Sequence, residues 1–306
     1  MVTQAVLHLA VTGSRGLIGS ALVPFLAEKG HRVTRLVRGP AAGTDEVSWG
    51  PAEGITDVSR LQDLDGVIHL AGENIASGRW TEARKAKIRR SRVEGTQRLC
   101  ESLGPLARPP RVLVSASAIG FYGDRGDETL SEDSPPGRGF LPDVCCAWEA
   151  ATKPDAQLGV RVVPLRFGMI LTPNGGALKQ MLLPFRLGVG GKIGSGAQFM
   201  SWIALDDALG AILHALVTES LQGPVNAVAP MPVTNAEFTR TLARVLSRPA
   251  LAPLPAFAAR LAFGELADAL LLASARVVPT RLQASGYRFQ FPGLEGALRH
   301  LLVRKH

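Results

Sequence analysis

Three glycines, Gly13, Gly16 and Gly19, are the residues whose type and spacing point most directly to chemistry. They follow an apolar run over residues 6–11. They precede a helical period in which Leu17, Ile18, Ala21, Leu22, Phe25 and Leu26 share one face. Each glycine has its own job at such a turn. Gly13 lets the strand turn sharply, Gly16 puts no side chain between the backbone and a pyrophosphate, and Gly19 lets the helix pack close to the strand. The free N–H groups and partial positive charge at the helix start then attract phosphates. An acid about 20 residues further on ordinarily holds the ribose 2′-hydroxyl of NAD. Here the second strand ends Leu36-Val37-Arg38, without an acid. Arg38, with Arg15 in the turn and Arg35 nearby, would pair with a 2′-phosphate that an acid would repel, so the pattern favours NADP. Arg38 also reads as a solvated strand end.

The elements that position these residues are legible around them. Gly30 stands where a helix wants a left-handed residue past its end. A second apolar run covers residues 33–37, and the whole is one βαβ unit. Further strands are expected at 47–49, 65–72, 111–115 and 161–165. Helices are expected at 81–103, with Thr81 as N-cap, and at 140–152. Past Leu171 the composition changes. Five glycines fall within residues 188–196, a pattern that suits close backbone approach to a ligand and equally a surface loop. Asp206 and Asp207 open a helix to residue 217, at the positive end of its dipole. The remainder is mainly helical, with Asn235 as an N-cap and one very apolar helix over 257–275. Short helices are expected at 279–282 and 294–303. Leu261, Phe263, Leu266, Leu270, Leu271 and Leu272 are too apolar for an exposed helix. They are expected to pack on the core or on a partner subunit and to wall one side of the cleft.

The chain has 306 residues, 46% of them hydrophobic and 20% charged, which suits one large α/β domain or a domain with a smaller lobe. The formal charge of +8 raises nucleic acid as a partner. The basic residues are scattered, however, and aromatics for base stacking make up only 6%, so the excess reads as solvated surface plus sites for a phosphate-bearing ligand. No run reaches membrane-spanning length and no basic-then-apolar leader is visible, so neither a membrane nor a nucleic acid is expected as partner and the cytoplasm is the expected location. Cys100, Cys145 and Cys146 form no CxxC pair and read as reduced thiols. The six histidines show no metal spacing, and no metal is expected.

The turn Thr12-Gly13-Ser14-Arg15-Gly16-Leu17-Ile18-Gly19 resembles that of the extended short-chain dehydrogenase/reductases. Further segments narrow the resemblance: Leu-Ala-Gly-Glu-Asn at 70–74, Ser-Arg-Val at 91–93, Ser-Ala-Ser-Ala-Ile-Gly-Phe-Tyr-Gly at 115–123, Trp-Glu at 148–149, Pro-Phe-Arg-Leu-Gly at 184–188, Gly-Ser-Gly-Ala-Gln-Phe-Met-Ser-Trp-Ile at 194–203 and Gly-Glu at 264–265. Together they are similar to the atypical "epimerase family" branch, which carries a C-terminal domain of unknown function. The resemblance implies an α/β fold: a Rossmann-type doubly wound parallel sheet with a smaller, mainly helical C-terminal substrate lobe. It implies a cofactor domain over 1–171, to which 197–225 returns, and a substrate-side lobe over 172–306 that includes the helical domain 249–302. The implied cofactor contacts are Gly13, Ser14, Arg15, Gly16, Leu17, Ile18 and Gly19 in the turn, Val37 and Arg38 at the second strand, and Leu70, Ala71 and Gly72 along the adenine and ribose. Lys87 and Arg92 are phosphate candidates on the long helix, where Arg92 takes the place of an asparagine that usually faces the cleft. Ser115, Arg166 and Ile170 complete the set, Ile170 beside the nicotinamide.

One departure bears on catalysis. Active relatives carry a serine with Tyr-x-x-x-Lys on the following helix, the tyrosine as acid/base and the lysine lowering its pKa. Here that helix reads Phe140-Leu141-Pro142-Asp143-Val144-Cys145-Cys146-Ala147-Trp148-Glu149, with neither. Ser117 keeps the serine position. Tyr122 is the remaining phenol near that strand, and Arg166 would lower its pKa on approach, so Ser117 and Tyr122 are the catalytic candidates. Two functions stay open. One is an NADP-dependent oxidoreductase or nucleotide-sugar epimerase of altered mechanism, acting on a small molecule. The other is a non-catalytic NADP(H)-binding structural or redox-sensing protein. Monomer and homodimer both fit.

Overall fold

The structure is a computed structural model that describes residues 5–303. The chain runs β1 (His8–Thr12), α1 (Gly19–Glu28), β2 (Arg32–Val37), β3 (Glu46–Gly50), β4 (Gly54–Ile55), β5 (Gly66–His69), α2 (Glu82–Leu103), β6 (Val112–Ala118), β7 (Thr129–Leu130), α3 (Phe140–Ala150), α4 (Lys153–Gln157), β8 (Arg161–Phe167) and β9 (Met169–Leu171). It continues through α5 (Gly176–Arg186), β10 (Phe199–Met200), β11 (Trp202–Ala204), α6 (Leu205–Val217), β12 (Val225–Ala227), β13 (Val233–Thr234), α7 (Asn235–Leu246), α8 (Ala256–Phe263), β14 (Arg276–Val277), α9 (Thr280–Ala284) and α10 (Leu294–Leu302).

The main sheet has eight strands in the order β12-β8-β6-β5-β1-β2-β3-β4. All its pairs are parallel except β3 with β4. Parallel strands are covered on both faces, so they read as apolar runs whose alternate residues enter two different cores. In β1, Leu9 and Val11 join one core with Leu22 and Leu26 of α1 and Ala208 to Leu216 of α6. Ala10, between them, faces the other core with Leu99, Cys100 and Leu103 of α2. This is the Rossmann-type doubly wound sheet. The strand order reverses between β1 and β5, and a ligand crevice opens at such a switch point beyond the strands' C-terminal ends.

The C-terminal part forms a smaller, mainly helical body with its own core, where Leu182 and Phe185 of α5, Phe238 and Leu242 of α7, and Leu294 and Leu298 of α10 meet Trp202. Asp207, on the first turn of α6, ties this body to the sheet. Its fully buried carboxylate accepts the amides of Gln290 at 2.7 Å and Phe291 at 2.9 Å, and the Tyr287 hydroxyl donates to the Asp207 carbonyl at 2.8 Å. The N-cap of α7 is Thr234, one residue before the expected Asn235, and its side chain accepts from the Glu237 amide.

One expected element is absent as such. The apolar stretch 257–275 is not a single helix. Gly264, at φ +62°, ends α8; a π-helical turn follows over Ala267–Leu272, and the chain then extends into β14. Nor are its six large side chains uniformly packed: Leu266 is buried, whereas Leu261 remains 75% exposed. Among the described residues, no helix is long and apolar enough to cross a membrane.

Candidate functional site

The glycine turn follows β1 at the switch point. A Cβ on Gly13, whose φ is +67°, would come within 2.8 Å of the Leu70 carbonyl carbon, and one on Gly19 within 2.2 Å of the Gly13 oxygen. Both glycines are therefore required by backbone packing. A Cβ on Gly16 would meet only the Gly13 oxygen, at 3.1 Å, so that side of the turn is open to a ligand. Ser14 is buried, Arg15 points out, Leu17 lies against Gly175 and Gly176, and Ile18 packs on the core behind the turn. A cavity of about 310 Å³ lies beside Arg15, Gly16 and Leu17, bounded across from them by Thr172, Asn174 and Leu205.

At the end of β2, Val37 is buried and Arg38 is exposed, with no ion-pair partner among the described residues. An acid does reach this corner, from β3. Glu46 lies opposite Arg35 in register and takes Arg15 Nη2 at 3.2 Å and Arg35 Nη2 at 3.3 Å. The Ala42 amide, with the two guanidiniums, holds its carboxyl below the usual range. Arg35 also pairs with Asp45 at 2.8 Å. Three guanidiniums thus face two carboxylates, and the corner stays net positive.

Beyond β5, Leu70, Ala71 and Gly72 line the other side of the crevice. They are set by a buried polar chain. Thr12 Oγ1 accepts the amides of Leu70 at 3.1 Å and Ala71 at 3.2 Å. Its own hydrogen therefore goes to His69 Nδ1, 2.7 Å away, and the imidazole carries its proton on Nε2, facing Thr96 Oγ1 at 3.1 Å. Trp148 Nε1 donates to the same Thr96 oxygen at 3.0 Å. Burial pushes the His69 pKa down to about 4, so the ring is neutral. Arg92 lies directly beneath: a Cβ on Gly72 would be 3.5 Å from its guanidinium carbon, which stacks over Trp148 at 5.0 Å. Arg92 donates to the Glu73 carbonyl at 3.0 Å. Lys87 is half-exposed and reaches the Glu73 carboxylate at 3.4 Å, which Arg84 also holds at 2.7 Å. Burial alone would raise the Glu73 pKa, but these two cations outweigh it and keep the carboxyl below its usual range.

At the end of β6 the structure rearranges the expected chemistry. Ser115 is buried in the strand. Ser117 Oγ donates to Glu149 Oε1 at 2.7 Å. Arg166 grips the same carboxylate with two donors, each at 2.8 Å, and its Nη1 donates to the Tyr122 hydroxyl at 2.9 Å. The Tyr122 hydroxyl in turn donates to Asn226 Oδ1 at 2.7 Å. Tyr122 is 0% exposed. Burial raises its pKa and outweighs the opposing pull of Arg166. The contact with Arg166 is present, but the phenol is sealed inside the sheet's end, a placement that suits a structural tie and not proton exchange with a ligand. Arg166 itself is buried, with its donors spent on Glu149 and Tyr122 and none turned to the crevice. Ile170, in β9, is half-buried and paired with Ile203.

Glu149 was not singled out as functional from the sequence, although Cys145-x-x-x-Glu149 has the spacing of Tyr-x-x-x-Lys with an acid where the base would stand. Cys145 lies under Gly120, and burial pushes its thiol up to about 12. Glu46 was missed because it comes from the neighbouring strand, beyond the span in which a ribose-binding acid is sought.

Comparison with known proteins agrees with this geometry. The family model described as "NAD dependent epimerase/dehydratase family" matches residues 9–227, and "Domain of unknown function (DUF1731)" matches 254–301. Epimerase family protein Mb2239 of Mycobacterium bovis is 42% identical over 296 residues, covering 97% of this chain and 98% of its own. Epimerase family protein SDR39U1 of Homo sapiens is 38% identical over 300 residues, covering 97% and 100%. The crystal structure of that human protein with NADPH superposes with a TM-score of 0.87 at 36% identity, over 96% of this chain and 98% of that one. A nucleoside-diphosphate sugar epimerase from Corynebacterium glutamicum gives 0.80 at 37% identity, over 97% of this chain and 58% of that one. With a family model spanning most of the chain and relatives matched nearly end to end, this protein belongs to the NAD dependent epimerase/dehydratase family and carries its DUF1731 domain at the C-terminal end.

Proposed function

We propose that the protein binds NADP(H) and is an oxidoreductase acting on a small molecule. The observation that carries this reading is the net-positive corner at the end of β2, where Arg38 is uncommitted and Arg15 and Arg35 outnumber the one buried acid between them. A 2′-phosphate would complete that charge set; a bare ribose would leave it in excess. The open side of Gly16 supports backbone contact with a pyrophosphate, and Leu70 to Gly72 supply the apolar shelf opposite. The human relative crystallised with NADPH supports the same choice. Bound there, the cofactor would supply or accept a hydride.

Calorimetric titration of NADPH and NADH tests the reading. One charge-assisted bidentate contact contributes about 1.5–3 kcal/mol, so NADPH should bind about tenfold or more tightly, and Arg38→Ala should erase most of that preference. Equal affinities in the unaltered protein would overturn it.

A second reading, a non-catalytic NADP(H)-binding protein, is favoured by one observation: the residues at the acid–base spacing are Cys145 and Glu149, one a high-pKa thiol and the other locked by Arg166. Consumption of NADPH in the presence of added acceptors separates the two.

A further inference from the structure

Arg92 has one committed end and one open edge. Its Nη1 donates to the Glu73 carbonyl at 3.0 Å and to the Ile88 carbonyl, one turn back in α2, at 3.3 Å. Its Cζ stacks over the Trp148 ring at 5.0 Å. Nε and Nη2 have no partner among the described residues, and neither is sealed from solvent. These two groups point the same way and form the fork with which a guanidinium takes two oxygens at once. Arg166 uses the same edge on Glu149, with Nε and Nη2 each at 2.8 Å. Among the described residues no carboxylate closes the fork of Arg92. The neighbouring one, Glu73, is held by Arg84 at 2.7 Å and Lys87 at 3.4 Å.

The fork lies in the crevice, between the ends of β5 and β6. α2 follows β5, so it starts at the end of the sheet where the crevice opens, and helical side chains lean toward that start. Gly72, exposed on the shelf after β5, stands over the guanidinium: a Cβ there would be 3.6 Å from Nη2. On the other side Trp148 belongs to α3, whose Glu149 takes the Ser117 hydroxyl of β6. The strand order β2-β1-β5-β6 gives the crevice a direction. With a 2′-phosphate at the end of β2 and a pyrophosphate at the turn after β1, the rest of the cofactor runs over β5 toward β6. Neighbouring strands lie about 4.8 Å apart, so the group one strand beyond the pyrophosphate is the second ribose. Its 2′- and 3′-hydroxyls are adjacent oxygens on one face of the sugar.

We propose that the Nε–Nη2 edge of Arg92 holds the nicotinamide ribose of NADP(H), donating to its 2′- and 3′-hydroxyl oxygens; this rests on the NADP(H) reading above. α3 supplies no cation for that ribose, since Glu149 stands at the spacing where active relatives carry a lysine. Arg92 brings the charge from α2 instead. The two carbonyls fix Nη1 and Trp148 fixes the plane, so the fork is set before the cofactor arrives and little side-chain freedom is lost on binding. By fixing the ribose, Arg92 also fixes the nicotinamide ring that the ribose carries.

A ladder of cofactor fragments, titrated calorimetrically into the full chain, tests the assignment: 2′-phospho-ADP, 2′-phospho-ADP-ribose and NADPH. The first ends at the pyrophosphate and the second adds the ribose. The unaltered protein should bind the second about tenfold or more tightly than the first, the size of one hydrogen bond to a charged group. Arg92→Met should bind 2′-phospho-ADP as the parent does and lose that gain. Arg92→Lys keeps the charge and the reach to the Glu73 carbonyl but has no fork, and should lose most of the gain too. It decides the matter if Arg92→Met does not fold. A loss that already appears with 2′-phospho-ADP makes Arg92 a phosphate clamp or a support of the shelf and overturns the ribose assignment. So does a parent that gains nothing from the ribose, or a gain that the variants keep in full. Failure of the unaltered protein to bind NADPH overturns the NADP(H) reading as well.

Discussion

At the scale of single residues, buried polar groups decide most of what is distinctive here. Tyr122 joins Arg166 to Asn226, so Tyr122→Phe leaves a guanidinium N–H and an amide oxygen unpaired inside the protein. The expected cost is about 1–3 kcal/mol of stability in urea unfolding, while turnover should fall less than the roughly 10²–10⁴-fold that loss of a general acid brings. A variant as stable as the parent but inert would restore Tyr122 to the chemistry. Asp155 is the opposite case. Its carboxylate is 0% exposed and both oxygens lack a partner among the described residues. Burial raises its pKa to about 6 from the ordinary 3.8. The folded state thus holds this proton more tightly than the unfolded state. The resulting stabilisation is full below about pH 4 and is lost as pH rises through about 6, on the order of 2–3 kcal/mol at 1.36 kcal/mol per unit. Asp155→Asn should therefore be more stable than the parent at pH 8 and lose that advantage at pH 4. Parallel stability–pH curves for the two proteins would show that Asp155 is already neutralised by another route.

At the scale of elements, local signals were readable and non-local ones were not. The turn from Gly13 to Gly19 announces itself because the constraints on it, backbone approach to Leu70 and to its own carbonyl, demand glycine at fixed spacing. Thr81 at the start of α2 and Gly30 past the end of α1 are legible for the same reason. Glu46 and Glu149 are not. Their roles exist only once β3 lies beside β2 and α3 beside β8, and nothing in the local pattern marks either acid as the partner of a distant arginine. The stretch 257–275 misleads because apolar content cannot distinguish a long helix from a helix, a glycine-enforced break and a π-helical turn. Gly264 at φ +62° makes the difference, so Gly264→Ala should destabilise the protein by about 1 kcal/mol or more, since an L side chain disfavours that conformation. Unchanged thermal unfolding in that variant would mean that the break is set elsewhere, for example by the Lys85–Glu265 ion pair one residue on.

At the scale of the whole molecule, the C-terminal segment is part of the fold even though α8 leaves Phe257 and Leu261 largely exposed. Leu294, Ala297 and Leu298 of α10 complete the core of α5 and α7, and Leu282 of α9 enters the core of the main sheet itself. The Gln290 and Phe291 amides and the Tyr287 hydroxyl satisfy Asp207, whose carboxylate would otherwise stand unpaired at the start of α6. Gln198 Nε2 donates to the Leu271 carbonyl at 2.9 Å, tying the glycine-rich loop to the same segment. Removing everything from residue 249 onward would strip three buried leucines, Leu282, Leu294 and Leu298, from two cores, at about 1.5–3 kcal/mol each. It would also leave Asp207 without its donors. Against a typical domain stability of about 5–15 kcal/mol, losses of this size leave little or nothing. A chain ending at residue 248 should therefore aggregate on expression or refolding and give no defined NADPH titration, whereas the full chain stays monodisperse and binds. A soluble, monodisperse truncation with the parent's NADPH affinity would show that the sheet and α5–α7 fold without the segment.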